Sequence, residues 1–75
     1  MTSLLHLYGA ASCPFTTELR EHLEWEGRMF VEYDAESDPA ARARLESITG
    51  SRSVPVLVED GRVVTIAWRG RACQV

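Results

Sequence analysis

The apolar positions fall in short blocks whose period changes from two to about four and back again. Leu4–Tyr8 is a mostly apolar block closed by Gly9, and it predicts a short buried strand. Ala10–Ser12 is a small-residue loop. Cys13-Pro14 then opens a helix, because proline suits the first helical position. Phe15, Leu19 and Leu23 recur every four residues as one apolar stripe, and Gly27 ends that helix. Met29–Asp34 predicts a second strand, with Met29, Val31 and Tyr33 on one face and Phe30 and Glu32 on the other. Ser37-Asp38-Pro39 starts a second helix, a capping side chain followed by proline. That helix runs through Leu45 and Ile48 to a left-handed terminus at Gly50. Val54–Val58 is a third strand, Asp60-Gly61 a hairpin turn and Arg62–Ala67 the returning strand. Trp68–Val75 remains as a tail.

The predicted order is β-α-β-α-β-β, an α/β fold. A right-handed crossover makes the first two strands parallel, and the hairpin completes a four-stranded mixed sheet that the helices cover. The chain divides into a domain over residues 1–67 and a tail over 68–75 that carries the second cysteine.

Size and charge narrow the function. A chain of 75 residues makes one small domain, burying only about 60% of its unfolded surface. Hydrophobic residues make up 45% and charged residues 25%, as in ordinary globular proteins. No apolar run approaches the roughly 20 residues that span a bilayer, so no membrane association is expected. The opening Met-Thr-Ser-Leu-Leu-His lacks the basic region and cleavage site of a secretory leader, which points to a reducing, cytoplasmic setting. The net charge is −3, and all eight basic residues are arginine. Mild acidity without a basic run argues against nucleic acid as a partner.

The candidate chemistry lies in two cysteines, Cys13 and Cys73, 60 positions apart. A zinc site needs close ligand pairs, and His6 and His22 form no set with these thiols, so no metal site is expected. In a reducing compartment lone thiols serve more often as redox or catalytic groups than as structural bridges. Cys13 follows the first strand and stands at the mouth of the first helix. The unpaired amides and positive dipole end there favour a thiolate, which is the nucleophilic form. Thr16, three residues on, is placed to donate its hydroxyl to the sulfur. The competing reading makes Cys13 a buried, inert filler. His6 and His22 have no spacing that makes either a base for Cys13.

Tyr8-Gly9-Ala10-Ala11-Ser12-Cys13-Pro14-Phe15-Thr16 resembles the active-site loop of glutaredoxins, which usually ends Cys-Pro-Tyr-Cys. Ser53-Val54-Pro55 is similar to that family's Thr-Val-Pro, whose proline is cis and faces the active-site sulfur. The resemblance implies a minimal thioredoxin/glutaredoxin fold and a thiol–disulfide oxidoreductase with Cys13 as nucleophile. It also implies a substrate site formed by Pro14, Phe15, Val54 and Pro55, in which Val54 N–H and C=O pair with an extended substrate. An ordinary strand-start proline is the other reading of Pro55. Tyr8 either flanks this site or belongs to the core. The chain departs from the family in three ways: Thr16 replaces the second cysteine, Ala10 stands where many members have a lysine for glutathione, and the C-terminal helix is missing.

Cys73, third from the C-terminus, resembles the redox position of the UXX-star (seleno)protein family, where it is selenocysteine or cysteine. That resemblance implies a redox-active Cys73, and the topology allows it. Two strand spacings are about 10 Å, and the chain from Trp68 to Cys73 spans roughly 16 Å. Cys73 can therefore act as the resolving or partner thiol, whether or not the two form a stable disulfide. Arg52, with Arg69 and Arg71, is expected at the Cys13 end, either supporting a thiolate, holding a substrate carboxylate, or only solvating the surface. Trp68 covers the site rim or packs under the tail. A monomer is expected, with a disulfide-bearing small molecule or protein as its partner. Glutathione is admitted as a co-substrate, and no bound cofactor is expected. Two alternatives remain: a monothiol glutaredoxin-type module holding glutathione or an iron–sulfur cluster, and an adaptor that uses the fold without chemistry.

Overall fold

The computed structural model describes residues 4–75; residues 1–3, which open the 1–67 segment and the stretch read for a leader, lie outside the described residues. Strand β1 (Leu5–Gly9) leads to helix α1 (Pro14–Trp25), strand β2 (Phe30–Asp34) and helix α2 (Pro39–Thr49). Four further strands follow: β3 (Ser53–Val54), β4 (Val56–Glu59), β5 (Arg62–Ile66) and β6 (Cys73–Gln74). The main sheet has the order β2-β1-β4-β5, with β1 and β2 parallel and the other pairs antiparallel. The α/β architecture with a four-stranded mixed sheet is as the pattern predicts.

The central strands β1 and β4 are buried on both faces, and the helices account for it. Leu5, Leu7 and Leu57 pack with Leu19 and Leu23 of α1. Tyr8, Val56 and Val58 pack with Leu45 of α2 on the opposite side. Alternate residues of one strand thus feed two cores, one under each helix. Edge strands β2 and β5 are more open, with Val31, Val63, Val64 and Ile66 exposed.

The helix ends follow local chemistry. Asp38 caps α2 by accepting the Ala40 N–H at 3.0 Å, and Gly50 closes it with φ 75°. Helix α1 ends two residues before Gly27. There Gly27 N–H reaches Glu24 O and Arg28 N–H reaches Leu23 O, each at 3.0 Å. This crossed pair satisfies the last carbonyls of the helix. The Asp60-Gly61 turn has φ of 53° and 77°, the left-handed pair a tight hairpin requires.

Two expectations need correction. The third strand is not continuous over Val54–Val58. Proline offers no N–H to a ladder, so the chain breaks there into β3 and β4; the Val54–Pro55 bond is cis. The second strand starts at Phe30 rather than Met29, which is exposed. In addition, the tail contains a strand: β6 pairs antiparallel with β3 in a separate small sheet. Among the described residues no helix is long and apolar enough to cross a membrane.

Candidate redox site

Cys13 is the N-cap residue of α1, with φ −91° and ψ 113°, and its carbonyl accepts the Thr16 N–H at 3.1 Å. Pro14 occupies the first helical position and removes one amide that would otherwise need a partner there. The loop leading to Cys13 depends on Gly9. A Cβ built at Gly9 collides with Thr16 Cγ2, so only glycine lets β1 run this close to the first turn of α1. Thr16 is fully buried, and its Oγ1 accepts the Ala10 N–H at 3.3 Å, tying the loop to the helix. The hydroxyl thus braces the loop, and does not bond the Cys13 sulfur as expected, because it is engaged by the Ala10 amide.

Cys13 and Cys73 are joined as a disulfide, with their Cα atoms 6.0 Å apart, within the usual range for such bridges. Cys13 is 1% exposed, whereas Cys73 is half-buried. Cys13 Sγ lies 3.9 Å from the Val54 carbonyl oxygen.

The tail reaches this position by a defined route. Ala67 takes φ 74°, a left-handed conformation unusual for alanine, and donates its N–H to Pro55 O at 2.8 Å. Trp68 and Arg71 then exchange both backbone hydrogen bonds, at 2.8 and 2.9 Å, around Arg69 and Gly70, whose φ values are 54° and 77°. This second tight turn sends the chain along β3, with Cys73 opposite Val54 and Gln74 opposite Ser53. Val75 N–H bonds to Arg52 O at 3.0 Å, and Gln74 Nε2 bonds to Ser53 Oγ at 2.7 Å.

Most of the candidate residues meet here. Tyr8, Cys13 and Val54 share one buried cluster, with Phe15 and Cys73 packed against it. Pro55 is buried next to Val54, while Pro14 is exposed at the helix start. Tyr8 is both a core residue and a neighbour of the sulfurs, and its ring stacks on Tyr33 at 4.9 Å. Trp68 packs against the α1-side core and tilts against His22 at 5.1 Å. The Arg52 guanidinium turns instead to Glu46, at 2.9 Å, so this residue meets the tail through its carbonyl. Arg71 lies 5.9 Å from the Phe15 ring centre and Arg69 lies 5.3 Å from that of Trp68. These two arginines, their aromatic partners and Glu18 line an open cavity of about 270 Å³. His6 bonds Tyr33 through Nδ1 at 3.0 Å, and His22 pairs with Glu26 at 3.3 Å. Among the described residues no three His, Cys, Asp or Glu side chains gather to hold a metal ion.

The residues missed by sequence reasoning are Gln74 and Val75, which fasten the tail. Their side chains carry no pattern that announces it. The Arg69-Gly70 pair was the available signal, since residue–glycine pairs of this kind favour left-handed turns.

Comparison with known proteins places these features. The glutaredoxin family model matches residues 5–64. A comparison with curated proteins finds no match. Among solved structures, the thioredoxin-like protein BC3987 is 34% identical, with TM-score 0.74, over 81% of this chain and 84% of that one. The glutaredoxin from Archaeoglobus fulgidus is 26% identical, with TM-score 0.74, over 87% of this chain and 75% of that one. A buckwheat glutaredoxin–glutathione complex shares the fold at 18% identity and TM-score 0.72, over 87% of this chain and 61% of that one.

Proposed function

The chain belongs to the glutaredoxin family, and on that footing we propose that it is a thiol–disulfide oxidoreductase with Cys13 as nucleophile and Cys73 as resolving thiol. One observation carries the reading: the sulfur at the N-terminus of α1 is bonded to a cysteine of the tail strand, beside Val54 and Pro55.

In the reduced protein the amides that begin α1 favour the Cys13 thiolate. That thiolate attacks one sulfur of a disulfide R–S–S–R′, forming Cys13–S–S–R and releasing R′–S⁻. The Cys73 thiolate then attacks Cys13 Sγ, forming the internal disulfide and releasing R–S⁻. The substrate disulfide gains two electrons and the cysteine pair loses two. Cys73 thereby replaces the second thiol that Thr16 removes from the family's local motif, a role that supports a closer kinship with the UXX-star (seleno)proteins. Val54 offers its backbone to an extended substrate, with Phe15, Pro14 and Tyr8 around it. The substrate class is a disulfide-bearing small molecule or protein in a reducing, cytoplasmic setting. The glutathione complex of the buckwheat protein supports glutathione as a co-substrate. Engagement of Cys13 by Cys73 supports this exchange reading over a cluster-holding module, which needs the thiolate for iron.

The test is disulfide reduction by wild type, Cys13→Ser and Cys73→Ser, with glutathione and thioredoxin systems compared as electron donors. Cys13→Ser should be inactive. Cys73→Ser should be slowed, or held as a mixed disulfide on Cys13. Full activity of Cys13→Ser would sink the reading.

A further inference from the structure

We propose that the oxidised protein is reduced at the tail: an incoming small thiolate attacks Cys73 Sγ, and Cys13 departs as the thiolate. The proposal rests on the redox-pair reading above and adds which sulfur is the electrophile.

Thiol–disulfide exchange runs through an attacking, a central and a leaving sulfur, so the attacker approaches from behind the central one. Attack on Cys13 would have to come from the side away from Cys73. That side is filled, because Cys13 is 1% exposed and packed among Tyr8, Ala10, Val54 and Val56. Attack on Cys73 comes from the side away from Cys13. Cys73 is half-buried in a two-residue strand held on β3. Arg71 and Arg69, two and four residues before Cys73, stand against the single carboxylate of Glu18 around the open cavity, a net positive lining for an anion to meet.

The leaving group points the same way. A more acidic thiol leaves faster, and Cys13 is the sulfur that the α1 amides stabilise as an anion. This preference acts in the same direction as access.

The sequence of events balances. R–S⁻ attacks Cys73, giving R–S–S–Cys73 and the Cys13 thiolate. A second R–S⁻ then attacks the R sulfur, giving R–S–S–R and the Cys73 thiolate. Two thiols become one disulfide, and the cysteine pair gains two electrons. The first step also frees the tail from its crosslink. Val54, which pairs with Cys73 in the oxidised protein, can then exchange that pairing for an extended substrate beside a thiolate already formed.

The experiment uses the full chain, oxidised under mild conditions and mixed with reduced glutathione. Samples are quenched with excess N-ethylmaleimide at successive early times and digested with trypsin. The arginines at 20 and 71 place Cys13 in peptide 1–20 and Cys73 in peptide 72–75. The expected result, extrapolated to zero time, is glutathione on 72–75 with maleimide on 1–20, in severalfold excess over the reverse. Glutathione equally or mainly on 1–20 overturns the proposal while leaving the redox pair intact. Intact mass before mixing separates the other failure: if mild oxidation leaves both thiols free, the redox pair itself is wrong and this route falls with it.

Discussion

Reducing the Cys13–Cys73 bond removes a crosslink between residues 60 positions apart. Closing a loop of that length withdraws conformational entropy from the unfolded chain worth about 4 kcal/mol at room temperature. Part of this is offset in the native state. Once cut, the tail is held by its pairing with β3, the Val75 N–H to Arg52 O bond and the Gln74–Ser53 side-chain bond. Each tail residue that escapes recovers about 1–2 kcal/mol of backbone entropy, against about 1 kcal/mol for each hydrogen bond given up. The expected net loss on reduction is about 2–4 kcal/mol, in a chain whose total stability should be about 4–11 kcal/mol. Urea unfolding followed by tryptophan fluorescence measures it. With a slope of about 1 kcal/mol/M, the oxidised midpoint should lie roughly 2–4 M above the reduced one. Cys73→Ser should match the reduced wild type with or without reductant. Equal midpoints for oxidised and reduced wild type would refute the reasoning, because ordering the tail would then cancel the whole effect of the crosslink.

Two further substitutions probe how the site is held. Gly9→Ala should cost about 1–3 kcal/mol by driving a methyl into Thr16 Cγ2; adding Thr16→Ser, which removes that carbon and keeps the hydroxyl on Ala10, should restore part of the loss in a double-mutant denaturation cycle. Asp34 ionises below the ordinary carboxylate range because it accepts hydrogen bonds from the Ser37 hydroxyl and from the Ser37 and Glu36 amides. Its charged form is therefore favoured by folding, so its contribution is full above the unfolded value of about 3.9 and fades as pH falls through the lower folded value. Asp34→Asn should be less stable than wild type near neutrality, and urea midpoints taken down the pH scale should show that gap closing in acid. A gap independent of pH would leave the charge without a role.

What the sequence determined by itself was local. The cap-plus-proline starts at Cys13-Pro14 and Asp38-Pro39, the left-handed stop at Gly50 and the Asp60-Gly61 hairpin are all set by a few adjacent residues. Each lies at the residues expected. The four-stranded sheet followed, because four apolar blocks joined by two helices and a tight turn leave few ways to bury themselves. The placing of Cys13 was legible for the same reason: a helix start belongs to neighbouring residues.

Tertiary structure decided what depends on distant contacts. The break at Pro55 could be suspected from its missing N–H, but its consequence, a short strand at 53–54 free of the main sheet, needed a partner from the far end of the chain. Trp68–Val75 has no hydrophobic period, so its sequence gave no reason to choose strand over coil. It becomes a strand because Ala67 and the Arg69-Gly70 turn aim it along β3, where Cys73, Gln74 and Val75 find sulfur, hydroxyl and carbonyl partners. The burial of Cys13 is equally a property of the assembled molecule. A helix N-terminus can favour a thiolate from sequence alone, but only the returned tail determines which of the two sulfurs solvent can approach.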